Sequence, residues 1–149
     1  MQDSFLADLT FLKQYIDPVL LQNNSGKAII VAPQYQARVM TSTWSVQNGS
    51  SPGWINYNWF TNQANQAHIN PIGGEERLWL GPEGGQYSWF FQQGQPFDYE
   101  HWQTPPVLDT LPFEIEVSEP TLIKASTSIS LTNASNTKFP QFWIDDVER

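Results

Sequence analysis

The chain has no cysteine. Disulfides, thiolate nucleophiles and cysteine-ligated zinc are therefore outside its chemistry. Basic side chains are scarce as well: seven Lys and Arg stand against fifteen Asp and Glu, for a net charge of −8. That balance repels DNA and RNA, and no basic stripe offsets it, so no nucleic-acid partner is expected. An anionic membrane surface is disfavoured for the same reason. No stretch approaches the roughly 18 apolar residues of a membrane span. The two histidines, His68 and His101, lie far apart. With no HxH, HxxxH or HExxH pairing, their spacing gives no metal site. Phosphate loops are missing too, because GGEER and GPEGG have glycines but not the Lys-Ser/Thr ending such a loop requires. No serine-hydrolase elbow and no cofactor motif is present. The N-terminal MQDSFLADLTFLKQY lacks the basic n-region and unbroken apolar h-region of an export signal. A chain whose signal had been removed would read the same, so periplasmic, extracellular and cytoplasmic settings all stay open.

Aromatic side chains, by contrast, are abundant: seven Trp, nine Phe and five Tyr. Flat rings pack well on a pleated surface, which suits β-structure. A ring face also meets the C–H face of a sugar, and a neutral ligand of that kind is untouched by the charge argument. A chain of 149 residues is about one domain and buries a real core.

The hydrophobic period changes along the chain. Phe5, Leu9, Leu12 and Ile16 recur on one face of a short N-terminal helix, with Asp3 or Ser4 to cap it and Pro18 to stop it. The period then becomes strand-like. PVLLQ, NNSG and KAIIVAP read as a hairpin, and ARVMTSTW as a further strand after the PQYQ turn. Residues 45–71 read as a long ordered loop with a short strand at WINYNWF. A second long loop, QQGQPFDYEHWQTPPVLDTLP, carries prolines at positions 96, 105, 106 and 112 that forbid helix and discourage strand pairing. Alternation returns in FEIEVSE, where Phe113, Ile115 and Val117 face one way and Glu114 and Glu116 the other. In TLIKASTSISLT, Ile123, Ala125, Ile129 and Leu131 share a face opposite Lys124, Ser126, Ser128 and Ser130, which marks antiparallel strands with one wet face. FPQFWIDDVER is a last strand that stops at Arg149 without a turn. An unpaired strand there would promote self-association, and the stop is read as a fragment boundary.

Chemistry-bearing residues gather in GGEERLWLGPEGGQYSWFF and FDYEHWQTP. GGEERLWL is read as a strand, on which Glu75, Arg77 and Trp79 point one way, and Glu76, Leu78 and Leu80 the other. Arg77 is either a salt-bridge partner pinning a loop or a guanidinium fork for sugar hydroxyls or a carboxylate. Glu83 sits on a turn fixed by Pro82 and the glycines, where its carboxylate accepts hydrogen bonds from ligand hydroxyls or from its own loop. His101, between carboxylates and Trp102, is a loop anchor or a general acid. The candidate ligand-binding residues are His68, Glu76, Arg77, Trp79, Glu83, His101 and Trp102. No residue is assigned a catalytic role, and three-dimensional assembly alone would decide whether the chain is an enzyme.

The order GWIN, HINPIGGEERLWLGPEGGQYSWFF and PFDYEHWQTP resembles a group of uncharacterised bacterial proteins of Bacteroides-like organisms, the DUF6786 proteins. VAPQYQARVMTSTW and SLTNASNTKF look like further strands of the same group, so the resemblance covers nearly the whole chain. More distantly, the Arg-containing strand followed by GG-x-x-R-x-W-x-x-PE is similar to galactose mutarotase-like proteins. This second resemblance implies a mainly β fold, an antiparallel β-sandwich of the supersandwich kind with a short N-terminal helix, and a carbohydrate ligand. Members of the group are longer, which implies that residues 1–149 are the N-terminal portion of a longer sandwich domain. Mutarotases place a catalytic Glu late in the chain, and nothing here matches it. The resulting expectation is a carbohydrate-binding β-sandwich serving glycan utilisation, with an aldose 1-epimerase-like enzyme and a ligand-free structural or interaction domain as the alternatives.

Overall fold

The structure, a computed structural model, describes residues 4–63, 65–131 and 142–148. The first helix, α1 (Phe5–Leu12), begins where Ser4 accepts a hydrogen bond from the Ala7 N–H through its hydroxyl at 3.2 Å. Asp3, the other candidate cap, lies outside the described residues. Phe5, Leu9 and Leu12 are buried along one face, as their spacing requires, and Ile16 packs on the same cluster from beyond the helix end.

Three strands form the first sheet: β1 (Val19–Gln22), β2 (Ala28–Ala32) and β3 (Arg38–Thr43), antiparallel in that order. Asn23 shapes the β1–β2 turn, its Oδ1 accepting from the Ser25 and Lys27 N–H groups at 3.0 and 3.1 Å. The second sheet is β4 (Glu114–Glu119), β5 (Leu122–Leu131) and β6 (Phe142–Glu148), again antiparallel in chain order. The protein is thus mainly β, with two antiparallel sheets and a short N-terminal helix. SLTNASNTKF, read from sequence as part of a strand pair, falls mostly outside the described residues.

β2 explains how the layers stack. Successive strand residues point to opposite faces. Ala28, Ile30 and Ala32 join Phe5, Leu12, Met40, Trp59 and Phe60 on the helical side. Val31 and Ile29 turn to the other side and meet Ala125 and Ile123 of the second sheet, with Phe113 just before β4. The central sheet is therefore covered on both faces, which is why its middle strand reads as an unbroken apolar run. A third cluster of Phe90, Phe91, Leu108 and Ile129 extends the core beneath the long loops.

Three expectations need correction. WINYNWF is not a strand: only Ile55 makes an isolated bridge, to Gly73, and Tyr57–Asn62 is a second helix, α2. The Asn56 side chain caps it by accepting from the Trp59 N–H at 3.1 Å. Consecutive Trp59 and Phe60 both turn inward there, a placement alternation forbids and a helical turn permits. The LWL segment is extended but pairs with no strand, since the chain's contact with β3 is a single bridge between Glu76 and Val39. Phe113, just before β4, is buried as expected, but Ile115 on β4 is 48% exposed. The register shifts between Ile115 and Val117, so the pleat slips and one apolar side chain faces water. The opposed wet face does hold: Lys124 reaches Glu116 across the strands at 2.8 Å, and this bond, with one from Ser126, holds the Glu116 carboxyl below the usual range.

A polar relay fastens α1 to the sheet. Asp8, 3% exposed, accepts hydrogen bonds from the Ser51 and Tyr57 hydroxyls. Ser51 in turn contacts Thr41 of β3 at 2.8 Å, and the Gly53 N–H donates to Thr41 at 3.0 Å. Replacing Asp8 by Ala leaves the buried Ser51 hydroxyl without its acceptor. Urea denaturation of Asp8→Ala should show a loss of about 1–3 kcal/mol, and an unchanged midpoint would mean that the relay does not hold the helix.

Candidate functional site

The two glycine pairs of GGEERLWLGPEGG have different jobs. Gly73 and Gly74 have φ of +100° and +113°, a region L side chains rarely adopt. A Cβ at Gly73 would lie 2.2 Å from the Trp54 carbonyl oxygen, and one at Gly74 would lie 2.7 Å from Cδ of Arg38. This pair lets the chain pass directly over a buried arginine. Gly84 and Gly85 border open space, so the second pair is a surface turn, following the cis Gly81–Pro82 peptide.

Arg38 is 1% exposed. It donates from Nη1 to the Gly73 carbonyl at 2.7 Å and from Nη2 to Gln36 Oε1 at 3.1 Å and to the Asp109 carbonyl at 3.4 Å. Asp109, also buried, accepts from the backbone N–H and the side-chain amide of Asn70, the latter at 2.7 Å. Asn70 Oδ1 accepts from the Trp59 indole N–H at 3.2 Å. Turn, helix, glycine pair and proline-rich loop are therefore tied at one point.

Arg77 lies beside this knot. Its guanidinium stacks over the Trp79 ring at 4.0 Å and stands 4.0 Å from the Asp109 carboxylate. Burial pushes its pKa down, and the Asp109 and Glu83 carboxylates pull it back up. The side-by-side placement of Arg77 and Trp79 follows from their parity on an extended segment. Trp54, Asn70, Gly74, Glu76 and Arg77 border a cavity of about 250 Å³ here.

Beyond Trp79 the contacts run on. The Trp79 indole N–H donates to Glu83 Oε1 at 2.6 Å, and the Trp102 indole N–H donates to the Glu83 carbonyl at 3.1 Å. Trp102 stacks on Phe90 with centroids 5.2 Å apart and planes within 8°. A second cavity, of about 400 Å³, opens on this side between Phe91, Phe97, Tyr99, Trp102, Glu83 and Asp98. Phe97 is 54% and Tyr99 71% exposed.

The seven candidates thus divide. Glu76 and Arg77 border the first cavity, Glu83 and Trp102 the second, and Trp79 joins the two. His68 borders neither. Its Nδ1 meets the Trp102 carbonyl at 2.5 Å and its ring packs on Tyr99 at 4.4 Å, so it braces the loop from behind. His101 Nδ1 pairs with Asp98 Oδ1 at 2.5 Å on the rim, which holds the Asp98 carboxyl below its usual range. Phe91, Phe97 and Tyr99 were not among the sequence candidates. Their signal is Gly94 and Pro96 on one side and Pro105 and Pro106 on the other, which keep the FDY rings out of any strand. Among the described residues no three His, Asp or Glu side chains come together as a metal site, and no helix is long and apolar enough to cross a membrane.

Fold and site together define a mainly β protein with an aromatic, acid-rimmed cleft built from loops. The chain belongs to DUF6786, a family of unknown function whose profile matches residues 3–145. No curated protein and no solved structure matches it.

The glycine geometry separates two substitutions that look equivalent in sequence. Gly74→Ala should cost about 2–4 kcal/mol through backbone strain and the clash with Arg38. Gly84→Ala should stay within about 0.5 kcal/mol of the parent. Thermal unfolding of both variants checks this, and equal melting temperatures would refute the division of roles.

Proposed function

We propose that the chain is a carbohydrate-binding protein of the galactose mutarotase-like kind, with a role in glycan utilisation. One observation carries this reading: the exposed rings of Phe97 and Tyr99, with Trp102, surround a cavity of about 400 Å³ whose rim bears the Glu83 and Asp98 carboxylates. Ring faces offer apolar contact to sugar C–H groups, while carboxylates accept hydrogen bonds from sugar hydroxyls. Both requirements are met on rigid supports. Trp102 is held by Phe90 and the Glu83 carbonyl, Glu83 by the Trp79 indole, and Asp98 by His101. Trp79 also carries the Arg77 guanidinium over its ring, and Arg77 borders the first cavity. Two antiparallel sheets facing each other across Val31, Phe113 and Ala125 suit a sandwich of the mutarotase type.

The ligand-free structural reading draws on the same bonds, because the indole N–H groups of Trp79, Trp89 and Trp102 all donate within the protein. An epimerase reading has the His101–Asp98 pair as its proton-transfer candidate, and NMR saturation transfer on anomeric protons would expose such chemistry.

Intrinsic Trp fluorescence titrated with neutral oligosaccharides tests the binding reading. A saturable shift should weaken about three- to tenfold in Tyr99→Ala, the loss of one stacking ring. Trp44→Ala removes a ring that is 64% exposed but outside the cavity, and it should bind as the parent does. A folded protein that answers no sugar would leave the structural reading in its place.

A further inference from the structure

The aromatic cavity carries more information than shape. Its walls are ring faces, each with a negative quadrupole, and the charged groups that line it are the carboxylates Glu83 and Asp98. Those anions are held in place: Glu83 Oε1 accepts from Trp79, and Asp98 Oδ1 accepts from the His101 backbone N–H at 3.1 Å and pairs with the His101 ring. Phe97 meets Phe91 edge to face at 5.2 Å, so two walls of the cavity are themselves fixed against each other. Of the basic groups nearby, Arg77 stacks over Trp79, while His101 pairs with Asp98 on the rim and shares that carboxylate with any bound amine.

A neutral sugar can use the ring faces and donate hydroxyl hydrogen bonds to the two carboxylates, but it carries no charge for them to attract. A protonated amine uses both features, attracted to the ring faces by their quadrupoles and to the carboxylates by charge. An acidic sugar is opposed by both, within a protein of net charge −8. We propose that the cavity between Phe97, Tyr99, Trp102, Glu83 and Asp98 selects amine-bearing sugars, that is, glycans with free amino groups, over neutral or acidic ones. This inference rests on the carbohydrate reading above and assigns it a ligand class. Asp98 and Tyr99 are its principal determinants, Asp98 for the charge and Tyr99 for the ring.

The experiment titrates the full chain with three β-1,4-linked trisaccharides that differ in charge: triglucosamine, its N-acetylated counterpart and cellotriose. Tetramethylammonium is the sugar-free cation, and trigalacturonate the acidic probe. Trp fluorescence is read at low and high salt, at a pH where the sugar amines are protonated. Triglucosamine should bind about five- to tenfold tighter than the two neutral trisaccharides, and trigalacturonate weakest of all. Salt should shrink the amine preference. Asp98→Asn, a substitution at an exposed position that leaves Glu83 in place, should shrink the preference, because amine binding loses a charge whereas neutral binding loses at most one hydrogen bond. Tyr99→Ala should weaken every trisaccharide. Equal binding of triglucosamine and cellotriose would overturn the amine preference and leave the carbohydrate reading standing. Tetramethylammonium binding as tightly as triglucosamine, with cellotriose inert, would keep the cation site and remove the carbohydrate reading. Tightest binding of trigalacturonate, or silence towards every probe, would overturn the proposal.

Discussion

A buried guanidinium organises this protein. Arg38 enters from β3 and binds the carbonyls of Gly73 and Asp109 and the side chain of Gln36. A charge that deep is tolerable only when most of its donors are used, because desolvation otherwise costs several kcal/mol. The sequence meets this demand with features that would otherwise look unrelated. Gly73 and Gly74 bring a carbonyl close enough to accept, Gln36 adopts a left-handed φ of +65°, and the Asp109 loop folds back by means of two prolines. The long loops are consequently fixed to the sheet at their bases, which leaves their middles able to present rings and carboxylates outward.

Around that knot the polar residues are shared out by role. Asp8, Asn70 and Asp109 are structural acceptors and hubs, each buried and each bonded to more than one segment. Glu83, Asp98 and Glu76 are exposed and border cavities. Arg77 belongs to both groups, half-buried beside Asp109 yet facing a cavity. Acidic residues therefore both build the loops and line their openings, and burial distinguishes the two uses.

Much of the fold could be read from the sequence because it is local. Period-four spacing located α1, the NNSG turn located the first hairpin, and the alternation of TLIKASTSI located β5. Reading failed where placement depends on distant partners. Trp59 and Phe60 form a helix because Tyr35 and the α1 face receive them, and nothing in WINYNWF announces that. Ile115 is exposed because a register shift displaces it, and a shift is a property of two strands rather than one. The candidate site divides the same way. Arg77 and Trp79 were legible as neighbours from parity, and Glu83 and Trp102 from their setting. That His68 would brace the loop from behind, and that Phe97 and Tyr99 would form the cleft, depended on how two loops separated by β-free chain fold together.

The two-sided burial of β2 has a consequence for the order in which the molecule opens. β1 and β3 cover its edges, the helices one face and the second sheet the other. Its amides meet water only when several layers part at once, so they should exchange hydrogen at the rate of global unfolding. β4 lies at a sheet edge with most of its side chains in solvent, and it can detach by itself. The molecule would then have a slow centre and a quick margin, and β4 amides better protected than those of β2 would contradict that ordering.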